Sequence, residues 1–266
     1  MIARPTSCLS LLPLAILMLA SAESVSAQDA PVRRLACGAY EAVPSAVGAE
    51  GRPSRLSIQK NGRLLVNVSD WAITALSCED INGDSTLELL VSTHSGGAHC
   101  CATLHIWSLG LSPKPLLDYE GGNATDLEVR DLDGDGRKEL LLGDDGLAYF
   151  DDLSYASSPA SIPLVACFAV DRFQDCTTRF PEILRARMKI YSGRLHPPTS
   201  EDDEQEVRGA ALGVLAIAVL LGEEEQSLSA VLQTTRSDVV MKWLERLRPR
   251  VRDWAAARGR KLKKEK

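Results

Sequence analysis

The stretch Asp131-Leu132-Asp133-Gly134-Asp135-Gly136-Arg137-Lys138-Glu139 sets the terms for the rest of the chain. Acidic side chains stand at loop positions 1, 3, 5 and 9, and glycines at positions 4 and 6. Four carboxylates gathered this closely repel one another unless a cation lies among them. A hard divalent cation with oxygen ligands, Ca²⁺ above all, suits that donor set. Alternate residues of a tight loop turn inward, and Gly134 and Gly136 permit the positive φ such a turn needs. The candidate metal ligands are therefore Asp131, Asp133, Asp135 and Glu139, with Glu139 closing the site and Arg137 offering its backbone carbonyl. An EF-hand places its closing Glu further along, between two helices. Here Glu139 runs into Leu140-Leu141-Leu142, a short apolar run that reads as a strand start.

The pattern occurs once more, 51 residues upstream. Asp80-Ile81-Asn82-Gly83-Asp84-Ser85-Thr86-Leu87-Glu88 again puts oxygen side chains at positions 1, 3, 5 and 9, and it runs into Leu89-Leu90-Val91. The candidate ligands of this loop are Asp80, Asn82, Asp84, Thr86 (through its carbonyl) and Glu88. Leu76 and Cys78 precede it as Leu127 and Val129 precede the other loop, so spacing and flanks together indicate an internal repeat. At these residues the chain resembles the FG-GAP/VCBS family, the calcium-binding repeats of integrin-type propellers and of many secreted bacterial proteins. The D-x-D-G-D-G-x-x-[DE] loop of that family follows one strand and feeds the next. The second loop fits the pattern throughout. The first departs at Asn82, one charge fewer, and at Ser85, which lacks the freedom of glycine, so a weaker site is expected there. The resemblance implies blade-like antiparallel sheets, Ca²⁺ as cofactor, and a binding or adhesion-like role.

The first 27 residues read as a secretory leader: Arg4, an apolar run from Leu9 to Ala20, then Val25-Ser26-Ala27 before Gln28. Pro13 interrupts the run, which falls short of the roughly 20 residues that span a bilayer. Six cysteines follow the leader, an even number that favours disulfides in an exported chain. If Asp171-Arg172 is a two-residue turn, Cys167 and Cys176 face each other on a hairpin, although Asp-Arg is not a favoured turn pair. Adjacent Cys100 and Cys101 point to opposite sides of a strand, which suits separate disulfides or a vicinal one better than a shared metal. Net charge is −6, but the segment from Lys242 to Lys266 carries +8, leaving −14 for the rest. Such a bipolar chain argues against nucleic acid as the main partner.

Outward from the loops, strands are expected at 56–60 and 63–68 around the Asn61-Gly62 hairpin turn, then near 75–78, 87–93, 100–109 and 116–119. Residues 38–53, rich in Gly, Pro, Ala and Ser, read mostly as loop. In the second unit, strands are expected at 140–142, 147–150, 162–170 and 173–177. Gly143-Asp144-Asp145-Gly146 reads as a hairpin turn before it reads as another ion site. After Phe180 the pattern turns helical. Pro181 can start a helix, Thr199 or Ser200 can cap a second, Ser237 a third, and Gly222 can end one. Val239, Val240, Trp243, Leu244, Leu247, Val251 and Trp254 form one stripe, within which Pro249 should kink or split the helix.

These readings give an α+β chain. Blade-like antiparallel β-sheets, part of a propeller, precede a C-terminal helical segment. The organisation is a leader at 1–27, a β domain at 28–180 with repeats at about 72–122 and 123–180, a helical domain at 181–258, and a frayed basic tail at 259–266. A closed propeller needs about four blades. The β region has room for about three, so the helices are expected to cover an open face. The expected function is an exported, non-catalytic calcium-binding scaffold with a protein or glycan partner, in the periplasm or outside the cell. The basic tail is a candidate contact to an envelope surface. The alternative is an exported thiol-redox or hydrolytic enzyme centred on His99-Cys100-Cys101. No C-x-x-C, H-E-x-x-H or G-x-S-x-G spacing is present to support it.

Overall fold

The structure, a computed structural model, describes residues 32–48, 51–97, 102–124, 127–159 and 161–262. Its class is α+β, with three four-stranded antiparallel sheets followed by four helices. The first sheet holds β1 (Leu35–Cys37), β2 (Tyr40–Val47), β3 (Pro53–Lys60) and β4 (Arg63–Ser69) in chain order. The second holds β5 (Ala72–Glu79), β6 (Glu88–His94), β7 (Ala102–Leu109) and β8 (Pro113–Gly122). The third holds β9 (Leu127–Arg130), β10 (Glu139–Asp144), β11 (Ile162–Ala169) and β12 (Arg172–Asp175). Each is a meander, and no closed barrel forms among the described residues.

The sheets stack. Side chains of a strand alternate between faces, so in β6 Leu89 and Val91 point one way and Leu90 the other. Leu89 and Val91 join Leu56, Ile58 and Trp107 between the first two sheets. Leu90 joins Ile106, Leu117, Leu140, Leu164 and Phe173 between the second and third. The second sheet is buried on both faces, which is why β6 begins as a continuous apolar run and not as an alternating one. The stack ends at the first sheet, whose outer positions Arg55, Ser57, Gln59 and Asn67 are polar and at least partly exposed. Cys37 and Cys78 form a disulfide between the first and second sheets.

The outer side of the third sheet meets the helices. Val165 and Cys167 pack with Phe180 and Ile183 at the start of α1 (Pro181–Ser192). Helix α2 (Glu201–Leu221) is buried from Gly209 to Ala218 among α1, α3 (Glu224–Thr235) and α4 (Asp238–Ala257). Its Gly209 lies so close to the Ser157 carbonyl that a Cβ there would fall 1.6 Å from that oxygen. The capping signals hold: Ser200 Oγ accepts from Asp203 N–H, Ser237 Oγ accepts from Val240 N–H, and Gly222 ends α2 with φ +71°. Among the described residues no helix is long and apolar enough to cross a membrane.

Several expectations are corrected. Residues 40–47 are a strand, not loop. Pro44 is tolerated because β1 pairs β2 only as far as Ala42, so its missing N–H faces an open edge. Residues 147–150 are not a strand: 147–149 form turns, and Tyr149 has φ +52°. This segment leaves the sheet to reach the helices, where Leu147 is fully buried. The β11–β12 turn is Val170-Asp171, since Ala169 pairs with Arg172. Cys167 and Cys176 are nevertheless bridged. Helix α4 contains Pro249 and is not split there. Pro249 and Glu245, whose carbonyl it deprives of a donor, are both exposed.

Residues 259–262 are not frayed. A 3₁₀ turn over Arg258–Leu262 buries Leu262 in the core between the second and third sheets. Arg258 is 1 % exposed, beside Asp144 and Asp175, and donates to the Pro163 carbonyl. Lys261 Nζ donates to Asp144 Oδ1 at 2.6 Å. Gly143–Gly146 is accordingly neither a hairpin turn nor an open ion site. Asp144 is fully buried and neutralised by two cations.

Candidate metal centre

Both acidic loops connect the first strand of a sheet to its second, β5 to β6 and β9 to β10. They fold alike, bond for bond. Asp131 Oδ1 accepts from Gly134 N–H (2.7 Å) and Oδ2 from Gly136 N–H (3.1 Å). Asp80 does the same with Gly83 N–H (2.8 Å) and Ser85 N–H (2.9 Å). At the third position Asp133 accepts from Asp135 N–H, and Asn82 from Asp84 N–H. At the fifth, Asp135 accepts from Arg137 N–H, and Asp84 from Thr86 N–H. The closing glutamates reach back in the same way, Glu139 to Leu132 N–H (2.9 Å) and Glu88 to Ile81 N–H (3.0 Å). Gly134 and Gly136 have φ of +77° and +86°; Gly83 and Ser85 have +73° and +65°. Ser85 thus takes a left-handed conformation that costs a residue with a Cβ about 1 kcal/mol or more.

The loops touch each other. Lys138 N–H donates to the Ile81 carbonyl at 2.7 Å, and Lys138 Nζ pairs with Glu79 at 2.6 Å. A Cβ on Gly83 would lie 3.1 Å from the Arg137 side chain.

In the second loop Asp131, Asp133 and Glu139 bring three carboxylates together, one ligand oxygen from each lying within 4.8 Å of the others. Asp131 and Asp133 are exposed and Glu139 is buried, so the group opens to solvent on one side and is fixed on the other. Asp135 is turned back on its own loop, pairing with Arg137 Nε at 3.4 Å. The first loop forms no such group among the described residues, because Asn82 replaces an aspartate and its amide nitrogen donates to Asp84. Thr86 contributes only its N–H to a loop bond, donated to Asp84.

Glu88 is fully buried and Glu139 is 4 % exposed. Burial pushes both carboxyls above their ordinary range, and the neighbouring aspartates push them further: Asp84 and Asp80 in one loop, Asp133, Asp135 and Asp131 in the other. The bonds from Ile81 and Leu132 act against this. Only one oxygen of each is engaged by those bonds. Glu88 Oε1 is buried with no partner in hydrogen-bond geometry, although the Ser108 side chain lies near enough to lower the carboxyl. An unpaired buried carboxylate oxygen is costly. A divalent cation is the partner that fits a site already lined with anions.

A cation from outside the second loop also reaches it, and nothing in the local sequence announces it. Arg179 Nη2 pairs with Asp133 Oδ2 at 2.7 Å across a separation of 46 residues. It stands in the 3₁₀ turn Thr177–Arg179 that follows Cys176. His99, Cys100 and Cys101 lie outside the described residues, as do residues 1–27. Comparison with protein-family models, with curated proteins and with solved structures gives no match for this chain.

Proposed function

We propose that this protein is an exported, non-catalytic scaffold of FG-GAP/VCBS type whose two acidic loops hold calcium. What carries the proposal is the pair of closing glutamates. Two buried carboxylates stand at the ninth positions of identically hydrogen-bonded loops, amid other acids, and in the first loop Glu88 Oε1 is buried with no partner in hydrogen-bond geometry. Asp131, Asp133 and Glu139 would hold the ion in the second loop; Asp80, Asp84, Glu88 and the Asn82 amide oxygen would hold a weaker one in the first. The carbonyls of Arg137 and Thr86 are further ligand candidates. The ion supplies charge neutralisation, and its binding energy adds to folding energy. External calcium fills sites with dissociation constants of about 10⁻⁴–10⁻³ M. The leader-like first 27 residues and the two disulfides among the described residues support export. A protein or glycan partner is proposed on the family resemblance alone. Thermal melting of the wild type and of Asp133→Ala, in calcium and in chelator, tests the metal. The wild type should melt higher in calcium and the variant should lose most of that gain. Equal melting of the wild type in both media rejects calcium.

A further inference from the structure

We infer that Arg179 is a built-in competitor of the ion in the second loop and sets the affinity of that site. The inference rests on the calcium reading of the loop and adds a residue from outside it. The Arg179 guanidinium lies 2.7 Å from Asp133 Oδ2, so one of the three gathered carboxylates is already shared with a cation. The side chain is not there by accident of an extended surface arginine. Its Nη1 reaches Cys167 Sγ at 3.5 Å, its guanidinium lies 5.6 Å from the Phe180 ring centre, and its backbone is fixed in the turn after the Cys167–Cys176 bridge. Leu132, from the loop itself, packs against the apolar cluster of Val165, Cys167 and Phe180. The guanidinium is thus held at the rim of the site by elements that do not depend on the ion. The first loop lacks this arrangement: Asn82, at the position of Asp133, is paired within its own loop, and Lys138 is engaged by Glu79, which is not a ligand.

Two consequences follow, of opposite sign. Without calcium, Arg179 offsets part of the repulsion among Asp131, Asp133 and Glu139. With calcium, its charge repels the ion, and it must share or yield the Asp133 oxygen. Removing it should therefore tighten binding. A unit charge several ångströms from a doubly charged ion in water-like surroundings changes affinity by about tenfold, which is about 1.4 kcal/mol. By linkage the ion loosens the Arg179–Asp133 pair by the same factor.

The test uses the whole protein, with Arg179→Gln and the charge-preserving Arg179→Lys. The Arg179 side chain is 57 % exposed, so neither substitution opens a core. Calcium is titrated while amide resonances are followed by NMR, Gly134 and Gly136 reporting the second loop and Gly83 the first. Arg179→Gln should tighten the second loop about tenfold at low salt, leave the first loop unchanged, and lose most of its advantage at about 1 M salt, where the Debye length is about 3 Å. Arg179→Lys should stay near the wild type. Unchanged or weaker binding by Arg179→Gln, with the wild type still binding, overturns the role of Arg179 and leaves the calcium site standing. If no loop resonance of the wild type responds to millimolar calcium, the calcium site and the role of Arg179 fall together.

Discussion

Glu139→Gln separates the two things the Glu139 side chain does. The carboxylate is 4 % exposed and accepts the Leu132 N–H at 2.9 Å. An amide oxygen can accept the same bond, so the loop keeps its closure while one charge disappears. In chelator the substitution removes a buried charge that Asp133, Asp135 and Asp131 oppose. The melting temperature should then hold or rise. In calcium the sign reverses. With dissociation constants of about 10⁻⁴–10⁻³ M, about 10 mM calcium stabilises the wild type by about 1.4–2.7 kcal/mol per site, and Glu139→Gln forfeits most of one such term. For a chain of this size that amounts to about 3–11 °C. Differential scanning calorimetry of both proteins, in calcium and in EDTA, reads both arms. An equal loss of stability in the two media would refute the reasoning, because Glu139 would then serve only as a hydrogen-bond acceptor.

Three further outcomes are expected. Replacing Cys37 and Cys78 by Ser opens a bridge spanning 41 residues and should cost about 4 kcal/mol in urea unfolding, with the second sheet parting from the first. No loss would mean that the intersheet core alone holds the two together. Ser85→Gly relieves a φ of +65° and should stabilise the ion-free protein by about 1 kcal/mol, while Ser95→Gly, outside the loop, should not. Asp151 is bonded by Arg246, Arg250 and Trp243, and these bonds hold its carboxyl far below the ordinary value of 3.8. A depressed carboxyl contributes stability that is present above its unfolded value and is lost as pH falls through the folded one. Urea midpoints measured from pH 6 to about pH 2 should decline less steeply for Asp151→Asn than for the wild type; parallel curves would contradict this.

The sequence spoke most clearly where structure is local. Asn61-Gly62, the caps Ser200 and Ser237, and Gly222 each fix a few neighbouring dihedrals, and each sits where its chemistry requires. The loop geometry was legible for the same reason, since each bond within it spans eight residues or fewer. What misled was context. Pro44 looks like a loop residue until the shortness of β1 is known, and Pro249 looks like a break until α4 is seen to turn it to water. Lys261 and Arg258 look like a solvated tail, because Asp144, their partner, lies more than a hundred residues away. Arg179 escaped notice likewise: only the packing of the turn after Cys176 against the loop brings it to Asp133.

The central claim, that negatively charged oxygens in these loops are gathered to hold a divalent ion, is tested most directly by a crystal structure grown in calcium. An anomalous difference peak is predicted in the second loop, with carboxylate oxygens of Asp131, Asp133 and Glu139 at about 2.3–2.6 Å. A weaker peak is predicted in the first, beside Glu88. Loops that keep the same fold in millimolar calcium, with no peak and with water at those oxygens, would contradict it.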